Sequence, residues 1–262
     1  VIENAPRFTP GVESEPAIAV IRLPHISNFT DFDPLAGLSG CRLVYVQQPQ
    51  ELIGMAAVIL PGSKSTCADL QWLKESGWQQ HLLTYHQAGG HILGICGGYQ
   101  MLGTWVRDPD GIEGVPGSTA GLGLLPVETV LKAPKTTTLT DFRWNGLVGR
   151  GYEIHMGRTD PPRECCLVTV DRRNGMGCDD VDGCRSEDGR VLGTYMHGLF
   201  DTPAITQHWL HMIGLGRIAV DTLHGPAARD QAYEQLAAHA AGHLDLAAIT
   251  ALLPQALQER LR

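Results

Sequence analysis
The chain has no apolar run approaching the ~18 to 20 residues that a bilayer-spanning helix needs. Its N-terminus also lacks the basic-then-apolar pattern of a secretory signal. No block of like charges is present, and a formal net charge of −8 argues against a surface that tracks nucleic-acid phosphates. Aromatic residues are sparse, at 6%, and no internal repeat or low-complexity segment points to a solenoid or a tail. The seven cysteines are odd in number, with no C-x-x-C spacing among them, so a disulfide framework is not expected. Together these absences point to a cytoplasmic protein in a reducing compartment, with no nucleic-acid and no membrane partner. The first residue is Val1 and not Met, as expected of a piece of something longer.

With 43% hydrophobic and 18% charged residues, 262 residues are enough for one large α/β domain or two small ones. Residues 1–16, with three prolines and three glutamates and no periodicity, read as a linker or frayed end. Apolar runs at Ala17–Leu23, Leu43–Val46, Ala56–Leu60 and Ile92–Ile95 read as buried parallel strands. Thr66 with Asp69 three residues on matches a capping box, opening a helix that stops near Gly77; Trp78–Gln87 reads as the next helix. This alternation predicts a doubly wound sheet. From Gly121 onward the pattern changes to β-like runs at Leu122–Val130, Gly151–His155, Leu167–Val170 and Val191–Met196. Thr202-Pro203 then opens a helix over Ala204–Ile213, the acidic stretch Asp171–Gly189 reads as a loop, and 230–261 is helical.

The chemistry centres on HILGICGGYQMLG, residues 91–103. A strand stops at Cys96 between Gly94, Gly97 and Gly98, and a helix-like segment follows. Small residues two before and two after a nucleophile permit the sharp strand-to-helix turn of a nucleophile elbow, here with sulfur. The partial positive charge of a helix N-terminus, and a histidine partner, favour the thiolate. The competing reading is a small buried cysteine packed at a glycine-lined turn. A base must lie within hydrogen-bond reach, and two of the eleven histidines, His155 and His197, stand at strand ends beside glycines. Either is placed to face the sulfur. The turn Pro61-Gly62-Ser63-Lys64-Ser65-Thr66 does not match a Walker A loop. Its Gly62 or Ser63 amide, with that of Gly97, can instead serve a developing oxyanion. Cys165, Cys166, Cys178 and Cys184 have no zinc-ligand spacing, so no metal site is expected. Glu153 and Asp201 are the carboxylates nearest the two strand-end histidines in sequence.

GICGGYQ at 94–100, with PGSK upstream and a late strand-end histidine, resembles the triad-type (class I) glutamine amidotransferases. IAVIRLPHISNFTDFDPL at 18–35, GYEIHMGRT at 151–159 and GTYMHGLFD at 193–201 resemble the cobyric acid synthase (CobQ) branch. The resemblance implies a flavodoxin-like, mostly parallel sheet with helices on both faces, added β elements and a helical C-terminal segment. It implies one amidotransferase domain over 17–262, with 230–261 packed on it, and residues 1–16 as a linker or the remnant of a preceding domain. Cys96 would attack the side-chain amide of glutamine, and His197 would act as base and acid. Gln100 and the Gly62–Ser63 backbone would help bind glutamine or the oxyanion. Most relatives of this type carry a glutamate two residues after the histidine, whereas this chain has Leu199. Glu153 is then the candidate to orient His197, with His155 beside it. No cofactor is expected in this domain. ATP and Mg2+ would belong to an N-terminal synthetase domain, absent here, that amidates the corrinoid adenosylcobyrinic acid a,c-diamide in cobalamin biosynthesis. The alternatives are the glutaminase domain of a cobyrinate a,c-diamide synthase or of a cell-wall precursor amidation enzyme, a cysteine hydrolase with another substrate, and a non-catalytic regulatory domain.

Overall fold
A computed structural model describes residues 15–221 and 224–252. The chain divides into two compact units, 1–222 and 223–262.

The first unit is built on a six-stranded sheet in the order Cys184–Arg185, Val191–Thr194, His91–Ile95, Ala57–Leu60, Ala17–Ile21, Arg42–Val46. All neighbours pair in parallel except the edge strand Cys184–Arg185, which runs antiparallel to Val191–Thr194. AIAVI at 17–21 and AVIL at 57–60 are buried along their whole length, as strands covered on both faces must be. The chain leaves Ala17–Ile21 for one side of the sheet and then crosses to Ala57–Leu60 on the other. The order therefore switches between these two strands, where open α/β sheets leave a crevice at the carboxyl ends. Helices Thr66–Glu75, Trp78–Gln87, Gly97–Leu102 and Pro203–Met212 complete the α/β architecture.

The later half is richer in strands than its apolar runs alone convey. Thr136–Trp144 pairs antiparallel with Leu147–His155 and with Val168–Arg173, and the last of these pairs with Met176–Asp182. Both hairpins turn at Asn-Gly, with Asn145 and Asn174 at φ 49°, the left-handed backbone that such two-residue turns require. The acidic stretch 171–189, read as a loop, is thus largely hairpin and sheet edge. A third sheet orders Arg158–Thr159, Glu128–Val130, Trp105–Asp108 and Gly117–Ala120.

Two local expectations are corrected. Within Leu122–Val130 only Glu128–Val130 is a strand. The amides of Leu122, Gly123, Leu124 and Leu125 instead bond the carbonyls of Met101, Gly103 and Leu102, which the end of helix Gly97–Leu102 leaves without helical partners. The N-cap of helix Thr66–Glu75 is Ser65, not Thr66. The Thr66 hydroxyl turns inward to Gln100, and Asp69 accepts from His25 and Ser63, because both side chains are buried where tertiary partners compete with local capping.

The second unit contains helices Gly225–His243 and Leu246–Ala251, the latter capped by Asp245 accepting from the Ala248 amide. The helical reading of 230–261 falls within it up to residue 252; the rest of that range, and residues 1–14, lie outside the described residues. No helix among the described residues is long and apolar enough to cross a membrane.

One close approach locks the elbow helix to the sheet: a Cβ on Gly98 would fall 1.8 Å from the Leu60 carbonyl oxygen. Backbone cannot yield as a flexible side chain can, so Gly98→Ala should cost at least about 1–3 kcal/mol in urea denaturation. Gly177→Ala, with nothing within 4 Å of the added carbon, should stay within about 0.5 kcal/mol of wild type.

Candidate active site
Cys96 ends the buried strand His91–Ile95 and is the N-cap of helix Gly97–Leu102. Its backbone sits at φ 53°, ψ −110°, a region that costs a non-glycine residue of order 1–3 kcal/mol. Two hydrogen bonds hold it there: its amide donates to Thr194 O at 2.8 Å, and its carbonyl accepts from the Gln100 amide at 3.1 Å. The thiol lies 3.6 Å from Ile154 O, so strand Leu147–His155 forms the facing wall.

Gly62–Ser63 pairs antiparallel with Ile26–Ser27, and the Lys64 amide donates to His25 O at 2.9 Å. In that register Ser63 and Ile26 form the non-hydrogen-bonded pair, so the Ser63 N–H points out of the ribbon. Its nitrogen lies beside the elbow: a Cβ on Gly97 would fall 2.9 Å from Ser63 N. The Gly97 amide, in the first helical turn, has no acceptor within its own helix. Two backbone donors thus lie side by side next to Cys96. Gly62 packs against the His197 ring, a Cβ there falling 3.6 Å from Cε1.

His197 follows strand Val191–Thr194, and its backbone exchanges hydrogen bonds with Tyr152, N to O at 2.8 Å and O from N at 3.1 Å. Its buried ring stacks on the Tyr152 ring, centroids 5.0 Å apart. Nδ1 lies 2.6 Å from Asp31 Oδ2, whose other oxygen accepts from the Gly198 amide at 3.2 Å. Asn28 Nδ2 lies 3.1 and 3.2 Å from the two ring nitrogens and donates to the Tyr152 hydroxyl at 3.2 Å. Burial disfavours the charged imidazolium, but hydrogen bonding to Asp31 and Cys96, and the negative charge each can carry, outweigh it. They push His197 up to about 9.

The other residues singled out in the sequence surround this pair. Gln100 is buried with both ends of its amide engaged: Oε1 accepts from Thr66 Oγ1 at 2.9 Å, and Nε2 donates to Met156 O at 3.2 Å and to the Tyr195 hydroxyl at 3.1 Å. It braces the elbow helix against the facing strand. His155 stacks on Tyr195, centroids 3.7 Å apart, and its Nδ1 donates to Gly157 O at 3.0 Å. Glu153, the sequence candidate for orienting His197, instead accepts from Thr140 and Arg173 and lies 3.6 Å from His155 Nε2. Burial opposes its charge, yet His155, Arg173 and Thr140 hold its carboxyl below the usual range. The carboxylate at His197 is Asp31. Sequence distance hid it, since 166 residues separate the two. Its place just past the first strand's carboxyl end was the available signal.

Among the described residues, no group of three or more His, Cys, Asp or Glu is placed to hold a metal ion. The Cys165 and Cys166 thiols point to Pro162 O, at 3.1 and 3.5 Å, and Cys178 to Val170 O.

Residues 17–205 match the family model of the CobB/CobQ-like glutamine amidotransferase domain. A cobyric acid synthase of Chlorobium phaeobacteroides (strain DSM 266) is 43% identical over 237 residues, 88% of this chain and 46% of that protein. A cobyric acid synthase of Rhodobacter capsulatus is 46% identical over 241 residues, 90% of this chain and 48% of that protein. The chain thus spans about half the length of the curated relatives it matches. Among solved structures, a glutamine amidotransferase superposes with a TM-score of 0.57 at 20% identity, covering 75% of this chain and 98% of that one. PurLQS from Thermotoga maritima gives 0.54 at 17% identity, covering 73% and 92%. These two likenesses are of fold alone. On the family match and the curated relatives, the chain belongs to the CobB/CobQ-like glutamine amidotransferases.

Proposed function
We propose that this chain is the glutaminase half of a cobyric acid synthase, supplying ammonia for ATP-dependent amidation of adenosylcobyrinic acid a,c-diamide in the cytoplasm. The observation that carries the reading is the pairing of Cys96 and His197 beside the Ser63 and Gly97 amides. The length of the relatives supports a synthetase half as partner.

The proposed reaction follows from these groups. Paired with the charged His197 ring, Cys96 Sγ attacks the side-chain carbonyl of glutamine. The tetrahedral oxyanion is held by the Ser63 and Gly97 N–H groups, each such donor being worth about 2.7–4 kcal/mol of barrier. His197 then protonates the departing ammonia. With its help water hydrolyses the glutamyl thioester, releasing glutamate and restoring the thiol. Ammonia passes to the synthetase half, where ATP and Mg2+ would act; this half requires no cofactor for its own step.

Cys96→Ala should abolish glutamate release and glutamine-dependent synthesis, while a complete enzyme bearing it keeps ammonia-dependent synthesis. Loss of both activities in folded protein would refute this division of labour.

The base also sets a pH dependence of stability. His197 sits at about 9 in the folded chain, against about 6.5 when unfolded. A raised pKa stabilises fully below about 6.5 and ceases to do so as pH climbs through about 9. In urea denaturation, the stability lead of wild type over His197→Gln should therefore be widest near pH 6 and shrink by pH 9.5. A lead that widens with pH would contradict a charged imidazole held by Asp31 and Cys96.

A further inference from the structure
We infer that Asp31 is the positioning residue for His197, completing a Cys96–His197–Asp31 set whose third member comes from the loop after the first strand. The inference rests on the catalytic reading of Cys96 and His197 and adds what holds the base in place.

The position two residues after His197 cannot supply a carboxylate here. Gly198 takes φ 71°, a left-handed turn, and a short helical turn, Leu199–Asp201, follows. Leu199 is consequently buried in the apolar core at 1% exposure, where an ionised side chain would lack solvation. Asp31 reaches the ring from the opposite end of the sequence. It is itself buried at 5% exposure and grips His197 twice, by Oδ2 on the ring Nδ1 at 2.6 Å and by Oδ1 on the next amide, Gly198 N, at 3.2 Å. The two contacts fix both the ring's rotation and the backbone that bears it.

The consequence is a defined tautomer. A carboxylate accepting from Nδ1 keeps the proton there, leaving Nε2 as the nitrogen that exchanges a proton with the Cys96 thiol. The titratable groups facing the ring are Asp31 from its loop, Cys96 from the elbow and Tyr152 from strand Leu147–His155. Of these, Asp31 alone sits on Nδ1 with a carboxylate. Tyr152 is pushed up to about 12, chiefly by burial and then by the charges of Asp31 and Asp201, so its neutral ring stacks without contributing charge.

The deciding experiment reads His197 by nitrogen-15 NMR, alongside glutamine turnover by the chain joined with its synthetase half. In wild type above pH 10 the neutral ring should carry its proton on Nδ1. In Asp31→Asn the titration midpoint should fall from about 9 towards ~6.5. Turnover should fall about 10²- to 10⁴-fold with KM changed by less than about threefold, the pattern of a lost orienting carboxylate. Asp31→Glu should recover part of both. An Nε2-protonated wild-type ring would overturn the inference, as would a folded Asp31→Asn protein with wild-type midpoint and turnover. The wild-type tautomer decides the matter even if Asp31→Asn does not fold. If no glutamine is hydrolysed in any setting while the Nδ1 tautomer persists, the functional proposal fails and the placement of Asp31 stands.

Discussion

A two-residue antiparallel ribbon, Ile26–Ser27 against Gly62–Ser63, is the constraint on which the site depends. It joins the loops leaving the two strands between which the sheet changes direction. One side sends Asn28 and Asp31 to His197, and the other sends the Ser63 amide to the elbow. Two backbone pairs are too few to hold such loops, and the buried Asp69 carboxylate reinforces them: it accepts from the His25 amide and ring on one loop, and from Ser63 Oγ at 2.6 Å on the other. The Asp31 carboxylate on His197 and the Ser63 amide at the elbow are thus set by the same few hydrogen bonds.

The site also shows how charge is kept inside an apolar sheet. A lone imidazolium at His197 would be strongly disfavoured by burial. With Asp31 on one nitrogen, Cys96 beside the ring and Tyr152 stacked over its face, the charged form is favoured well into the alkaline range. The strained backbone of Cys96 belongs to the same economy of position. Its amide and carbonyl are both hydrogen-bonded, and Gly98 seats directly on Leu60 O, so the elbow cannot relax by sliding off the sheet.

Much of this was readable in the residues. The four parallel strands of the first hundred residues and helix Trp78–Gln87 follow directly from apolar runs and glycine stops. The elbow follows from glycine spacing around Cys96. The two Asn-Gly hairpins carried an equally clear signal in WNGL and RNGM, yet the charged residues along Asp171–Gly189 obscured it. Strand Met176–Asp182 lies at the edge of an antiparallel sheet and is exposed over its first five residues, so it forms without an apolar run.

By itself the sequence determined what is local: which segments are buried strands, where the chain must turn sharply, and that a cysteine stands at one such turn with histidines at later strand ends. Only the tertiary structure decided the partners of those groups. It set Asp31 rather than Glu153 on His197, engaged Gln100 at both ends, and drew Asp69 away from capping its own helix. The physical reason is that strand and helix formation depend on periodicities of a few residues. The choice of a buried hydrogen-bond partner depends on which loops the sheet order brings together, and here they lie 166 residues apart.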